Sequence, residues 1–307
     1  MKTWRKVMDN SKKKYSENDI AIGKVYKMLR ISKGFSQKEA AGDEISVTQL
    51  SKFENGYTIV STNHFMIILQ NINVNLFEFQ NSYNQYLEEK DLLLFNTELT
   101  NALMEKNFIK LKLLLKELEL KLELNSNLSK NKKLKLDYIR TKSILSFISN
   151  DYSLTKNEIN FLKNYLYDLK EWGQYDIHLL GQCAQFLDLL QLSDLVERMI
   201  SPSQINYKLH YIELARIQSI LNIINIFIEN NMNESARKLI KYLEDSKIHE
   251  YFMFEKITLI YNEAHLNYKK GILSGLDTME KCQKILEFCN CYKTANWMAK
   301  EIDEIKK

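Results

Sequence analysis

Apolar residues recur at intervals of three and four along almost the whole chain, the spacing of one buried helix face. Ile22, Val25, Tyr26 and Leu29 predict a first helix, and Leu50 with Phe53 share the buried side of a later one. Phe65, Ile68, Leu69 and Ile72 predict a fourth, with Ser61, Thr62 and Asn63 as cap candidates, and Asn75-Leu76-Phe77-Glu78 opens a fifth. From about Asn84 onward amphipathic segments follow one another, separated by polar joints at Asn125 to Asn131, Asn150 to Lys156 and Ser201-Pro202-Ser203. One segment is apolar on two sides, with Leu111, Leu115, Leu118 and Leu122 on one and Leu113, Leu120 and Leu124 on the other. Such a helix is expected between two packed layers.

The segment Ser36 to Gly56 is the most specific in the chain. Ser36 and Glu39 have S-x-x-E spacing, so hydroxyl and carboxylate each take an amide that a helix start leaves unpaired. Gly42-Asp43-Glu44 ends that helix, Ser46 caps the next, and Asn55-Gly56 supplies a left-handed close. Two short helices joined by a tight turn are how a chain offers one helix to the major groove of DNA. Val47, Thr48, Gln49 and Lys52 then face outward, with Gln49 suited to adenine and Val47 and Thr48 to a thymine methyl. Gln37, Lys52 and Asn55 are placed for the phosphates, and Ser36 at the start of the first helix is a further DNA-binding candidate. The expected architecture is all-α: an XRE-type helix-turn-helix domain over 19–82, then a TPR-like helical-repeat domain over 83–307. Residues 1–18 form a basic extension, expected to be flexible, that contains Lys12-Lys13-Lys14.

Composition supports this reading and narrows the function. The chain of 307 residues has one proline and eight glycines, where an average chain of that length carries roughly fifteen and twenty. Residues 1–60 hold 12 Lys/Arg against 7 Asp/Glu, a balance of +5, whereas the rest holds 31 against 32. The positive charge therefore sits with the helix-turn-helix, as phosphate binding requires, and is small enough that tight binding needs two copies. The opening residues have no apolar core and no apolar run approaches the length of a membrane span, so a cytoplasmic protein without a membrane partner is expected. Cys183, Cys282, Cys289 and Cys291 lack zinc-site spacing and are expected to be buried free thiols. Phosphate-binding loops, nucleophile elbows and zinc-protease motifs are absent and the five histidines are scattered, so neither an enzyme nor a cofactor is expected.

A weak offset of 43 residues relates 191–201, 233–244 and 276–287, bringing Val196, Leu239 and Cys282 into register. It predicts paired helices in a curved stack with a concave face. The helix from Tyr207 to Glu229 carries an apolar stripe, Ile217, Leu221, Ile224 and Ile228, and a polar one, Gln218, Asn222, Asn225 and Glu229. An amide side chain both donates and accepts, so it can pair with an extended peptide backbone. The same offset places Tyr175 and Gln182 one repeat earlier, and Tyr261, His265 and Tyr268 one repeat later. Together they would form a patch for a short hydrophobic peptide; the same side chains equally suit solvent contact or helix capping. A repeat domain that only dimerises or docks a protein is the alternative.

Three features make the chain resemble the Rgg family of Gram-positive bacterial regulators, within the wider RRNPP group of peptide-sensing proteins. These are Leu50-Ser51-Lys52-Phe53-Glu54-Asn55-Gly56 at the end of the helix-turn-helix, Glu171-Trp172-Gly173-Gln174-Tyr175-Asp176, similar to the family's W-G-x-Y-E helix opening, and Ile220-Leu221-Asn222 in the central helix. The resemblance covers roughly residues 19–305. It implies a cytoplasmic homodimer that binds operator DNA and senses a re-imported peptide pheromone in quorum sensing. It also implies that Asn222 and Gln182 sit in the peptide groove and that Arg140 anchors the peptide by charge. Some members link the dimer through a cysteine near the recognition helix; none stands there in this chain, so that disulfide is not expected.

Overall fold

The computed structural model describes residues 15–87, 98–103, 105, 107–124, 128–201 and 209–306; Lys12-Lys13-Lys14, Pro202 and Ser203 lie outside them. Among the described residues every regular element is helical. The chain divides into two compact units, Met1–Glu105 and Lys106–Lys307.

The first unit holds α1 (Glu17–Ser32), α2 (Gln37–Ala41), α3 (Val47–Glu54), α4 (Thr62–Asn71) and α5 (Leu76–Leu87), with α6 described over 98–103. Local chemistry sets the starts of the first five. Ser16 with Asp19, Ser36 with Glu39 and Asn75 with Glu78 each exchange two hydrogen bonds across a helix start. Ser46 and Ser61 each accept one amide, from Gln49 and His64. Each cap is worth about 1 kcal/mol. The apolar faces close on Tyr26, Leu50, Phe53, Ile68, Leu69 and Ile72, all at most 2% exposed. A Cβ on Gly23 would stand 2.1 Å from the Phe53 carbonyl oxygen, so α1 crosses directly over the end of α3.

The second unit holds α7 (Phe108–Leu124), α8 (Leu128–Ser146), α9 (Lys156–Asp168), α10 (Gln174–Cys183), α11 (Leu189–Met199), α12 (His210–Glu229), α13 (Asn233–Asp245), α14 (Met253–Lys269), α15 (Ser274–Phe288) and α16 (Tyr292–Ile305). The even-numbered helices lie side by side, tied by side chains reaching the neighbouring backbone. Ser143 Oγ donates to the Gln182 carbonyl (2.6 Å), Asn222 Nδ2 to Gly181 (2.7 Å), Ser219 Oγ to Ile177 (3.0 Å) and Asn262 Nδ2 to Leu221 (2.9 Å). Gly181 permits the tightest of these approaches, since its Cβ would meet Ser219 Oγ at 2.4 Å. Behind them, α11, α13 and α15 follow the 43-residue offset, with Val196, Leu239 and Cys282 all buried.

Three expectations need correction. Leu113, Leu120 and Leu124 are exposed, by 63, 51 and 84%, rather than held between layers. The reason is that α7 stands at the start of the array, and only its Leu111–Leu114–Leu115–Leu118 face is covered. Next, α12 is long and apolar enough to cross a membrane, although no run in the sequence looked that long. It is the central helix of the core, with 61% of its most apolar window buried in the protein. Finally, Cys183 and Cys282 are buried but Cys289 is exposed and Cys291 half-exposed, at the turn between α15 and α16. No group of three metal-type ligands occurs among the described residues.

Candidate functional site

The outward face of α3 is the first candidate surface. Leu50 and Phe53 turn into the core, and that leaves Val47, Thr48, Gln49 and Lys52 exposed, with Asn55 just beyond the helix. Some of the predicted phosphate contacts already have partners within the fold. Gln37 Nε2 donates to Glu54 Oε2 (2.8 Å), and Asn55 donates to the Ser51 carbonyl (2.8 Å) while accepting from Lys27 Nζ (3.0 Å). Ser36 Oγ accepts the Glu39 amide. These residues fix the frame around α3. Beneath it lies a buried ion pair that sequence reading missed, Arg30 Nε to Glu54 Oε1 at 2.5 Å and Nη2 to Oε2 at 2.9 Å. Arg30 also donates to the Phe35 carbonyl, which pins the loop leading into α2. The Glu54 hydrogen bond raises the Arg30 pKa, so the guanidinium stays charged.

The second surface lies along the even-numbered helices of the repeat unit. Gln218, Asn222, Asn225 and Glu229 form the accessible strip of α12, between buried Ile217, Leu221, Ile224 and Ile228. Gln218 Nε2 donates to Glu255 Oε1 (2.9 Å), and Asn225 Nδ2 to Glu229 Oε1 (2.8 Å). Asn222 uses one N–H on Gly181, and its second N–H and its oxygen have no described protein partner. The ties between these helices join residues 39 to 42 apart, and an offset near 40, not 43, brings their faces into register. Gln182 and Asn222 then share one level, His178 and Gln218 the level before, and Gln185, Asn225 and His265 the level after. Three residues of error turn a helix by about 60° short of a full turn, and that explains Tyr261. The 43-residue shift put Tyr261 on the accessible face, but it is fully buried and donates to Glu301 Oε2 (2.6 Å) in α16. His265 belongs to the row yet is only 2% exposed. His178 and Gln185 share these levels and were not read from the sequence; the 40-residue spacing of the inner helices is the signal that places them there.

Beside this row, Arg140 is buried on α8. Its Nε donates to Gln182 Oε1 (2.5 Å), and its guanidinium lies 5.6 Å from the centre of the Tyr175 ring. Tyr175 donates to Asp137 Oδ1 (2.9 Å), and Lys133 Nζ donates to the other oxygen of that carboxylate, Oδ2 (2.8 Å). Burial lowers the Arg140 pKa, and burial with the Arg140 charge pushes His178 down to about 4, so that imidazole is neutral at pH 7. Burial pushes the Cys183 thiol up to about 12, which leaves it unreactive. The opening of α10 shows what Glu171 to Asp176 does locally: Trp172 is buried, and Asp176 accepts from the Gly173 amide (3.0 Å) and from the Tyr165 hydroxyl (2.6 Å). That anchor holds Tyr175 and Gln182 at their levels.

Comparison with known proteins places both units. Residues 120–300 match the model of the C-terminal domain of the HTH-type transcriptional regulator Rgg, and residues 27–79 match a helix-turn-helix model. The fold is similar to a crystal structure of the Streptococcus dysgalactiae SHP pheromone receptor Rgg2, with TM-score 0.73 and 23% identity over 92% of this chain and 99% of that one. It is also similar to a crystal structure of a Listeria monocytogenes EGD-e protein, with TM-score 0.74 and 17% identity over 93% and 97%. A PrgX/cCF10 complex matches with TM-score 0.66 and 19% identity over 93% and 92%.

Proposed function

The chain belongs to the Rgg family of helix-turn-helix transcriptional regulators, and from that premise we propose a cytoplasmic, homodimeric regulator whose DNA affinity is set by a short hydrophobic peptide on the repeat unit. Similar structures are those of a pheromone receptor and of a PrgX/cCF10 complex, which supports a peptide ligand here. The observation that carries the reading is the row of amides on successive inner helices, Gln182, Gln218, Asn222 and Asn225, backed by buried apolar side chains. An extended peptide exposes alternating donors and acceptors, and a row of amides satisfies both. Arg140 and Tyr175 flank the row at one end, with His265 at the other and Tyr261 supporting it from behind. The protein works by binding alone, with no catalytic step.

On the DNA side, α3 lies in the major groove with Val47, Thr48 and Gln49 on base edges and Lys52 on a phosphate, in a domain spanning 19–82. Ser36, Gln37 and Asn55 hold that frame and meet phosphates through their remaining hydrogen-bonding groups. Peptide binding favours one arrangement of the two copies because the peptide binds it more tightly than the other. Thr48→Ala with Gln49→Ala is expected to weaken specific operator binding by more than tenfold, since each good base contact is worth about 1–3 kcal/mol, with fold and dimer intact. Unchanged affinity rejects this assignment. Calorimetric titration tests the sensing half, and absence of heat with every candidate peptide rejects it. A docking role for the repeats has one observation in its favour, the exposed Ile109, Leu113, Leu120 and Leu124 on α7. Polar replacement of those leucines separates the two readings, because peptide binding survives it.

A further inference from the structure

The amide strip of α12 runs into a cluster of polar groups with unmet hydrogen-bonding capacity. His265 is 2% exposed and neither ring nitrogen has a hydrogen-bond partner. Asn225 Oδ1 is likewise buried without a partner, while its Nδ2 holds Glu229. Glu301 reaches in from α16, its Oε1 3.9 Å from His265 Nδ1, too far for a hydrogen bond, and its Oε2 taken by Tyr261. Buried polar groups are nearly always satisfied, so an unpartnered imidazole and amide oxygen beside a carboxylate point to a hydrogen-bonding group from outside the fold.

The chemistry of that group follows from counting donors and charges. Burial and the Lys269 charge hold His265 down to about 4, so it is neutral and offers one acceptor nitrogen. Asn225 Oδ1 is an acceptor, and so are the oxygens of Glu229 and Glu301. The charges felt by Glu301 are those of Glu229, Glu304 and Lys269, two negative and one positive. Lys269 spends a hydrogen on the Ile228 carbonyl at the end of α12 (2.7 Å). An excess of acceptors with net negative charge suits a group with three donors and one positive charge. We propose that Asn225, Glu229, His265 and Glu301 form a receptor for a primary ammonium group, the free N-terminus of the peptide on the amide row. This rests on the peptide reading, and a free amine shares the chemistry. The strip from Gln218 to Glu229 is roughly 16 Å long, the span of about five extended residues, and it ends where Glu229 meets solvent.

The test uses the full-length protein and a pool of synthetic peptides of Leu, Ile, Val and Gly, about seven residues long, made with free and with acetylated N-termini. Retention is read by affinity selection and mass spectrometry. Free-amine peptides are expected to be retained roughly 10- to 100-fold better, the range for a hydrogen-bonded charge. That preference should vanish in Glu301→Gln and in Glu229→Gln, the second an exposed position that spares the fold, and persist in Glu304→Gln. Equal retention of both pools overturns the proposal. If neither pool is retained, n-butylammonium decides, read by the side-chain nitrogen signals of His265. A shift that is lost in Glu301→Gln rejects the peptide reading and supports an ammonium site filled by a free amine; no shift overturns both.

Discussion

Replacing Glu54 with alanine tests how the DNA-binding unit is held together. The Glu54 side chain is fully buried and that of Arg30 is 9% exposed, with two charge-assisted hydrogen bonds between them. Alanine leaves the guanidinium buried and charged with only the Phe35 carbonyl among these bonds, and strips Gln37 of its acceptor. Breaking one side of a buried pair costs about 3–5 kcal/mol, a large part of a domain stability of about 5–15 kcal/mol. The helix-turn-helix unit has its own core, so the loss should appear there alone. Native-state hydrogen exchange read by mass spectrometry is the assay. Amides of α1, α3 and α4 should exchange roughly 100-fold faster or more, those of α10 and α12 should be unchanged, and operator binding should fall. Arg30→Met combined with Glu54→Leu should be less harmful than either change alone, because no charge is left unpaired. Acceleration of less than about fivefold in Glu54→Ala would place the pair in the class of exposed ion pairs and refute the reasoning.

Other consequences follow from the repeat unit. Gly181→Ala puts a methyl 2.4 Å from Ser219 Oγ and 3.0 Å from its Cα, so calorimetry should show a net loss of about 1–3 kcal/mol although alanine favours a helix by about 1 kcal/mol; an unchanged or higher Tm contradicts the close approach. Asn262→Ala removes the side-chain donor to the Leu221 carbonyl, which keeps its helix hydrogen bond, and should cost about 0.5–1.5 kcal/mol in urea unfolding; an unchanged midpoint contradicts the tie. His178 and His265 are both held down to about 4. The unfolded chain therefore takes up protons first as pH falls from about 6.5. Their contribution is complete above that pH and is lost toward pH 4, at about 1.4 kcal/mol per pH unit each. Glu301 is shifted up by burial and acts in the opposite sense, its contribution fading as pH rises through its folded pKa. Replacing both histidines with glutamine should flatten the acid limb of a stability–pH curve, and an unaltered limb contradicts the assignment.

The helix-turn-helix was legible because its signals are local: Ser36, Ser46, Ser61 and Asn75 each act within three residues of where they stand. The Arg30–Glu54 pair was not legible, because it depends on α1 crossing the end of α3 at Gly23, a contact between residues 24 apart. In the repeats, burial on α12 follows the apolar stripe read from the sequence. The faces of its neighbours did not, because the outer and inner helices repeat at different offsets. The 43-residue shift suits Val196, Leu239 and Cys282 but turns Tyr261 toward α16. The exposed leucines of α7 were misread because periodicity reports that a face is apolar without reporting that a neighbour covers it.

The central claim is that a peptide on the amide row changes affinity for DNA. The direct measurement is fluorescence anisotropy of a labelled operator, taken from DNA that co-purifies with the protein, with and without peptides encoded beside its gene. At least one peptide should shift operator affinity by about 5- to 150-fold. Asn222→Ala with Gln182→Ala should abolish the shift and leave peptide-free affinity intact. Operator affinity identical with every peptide, in a protein whose DNA binding still depends on Thr48 and Gln49, would contradict the account.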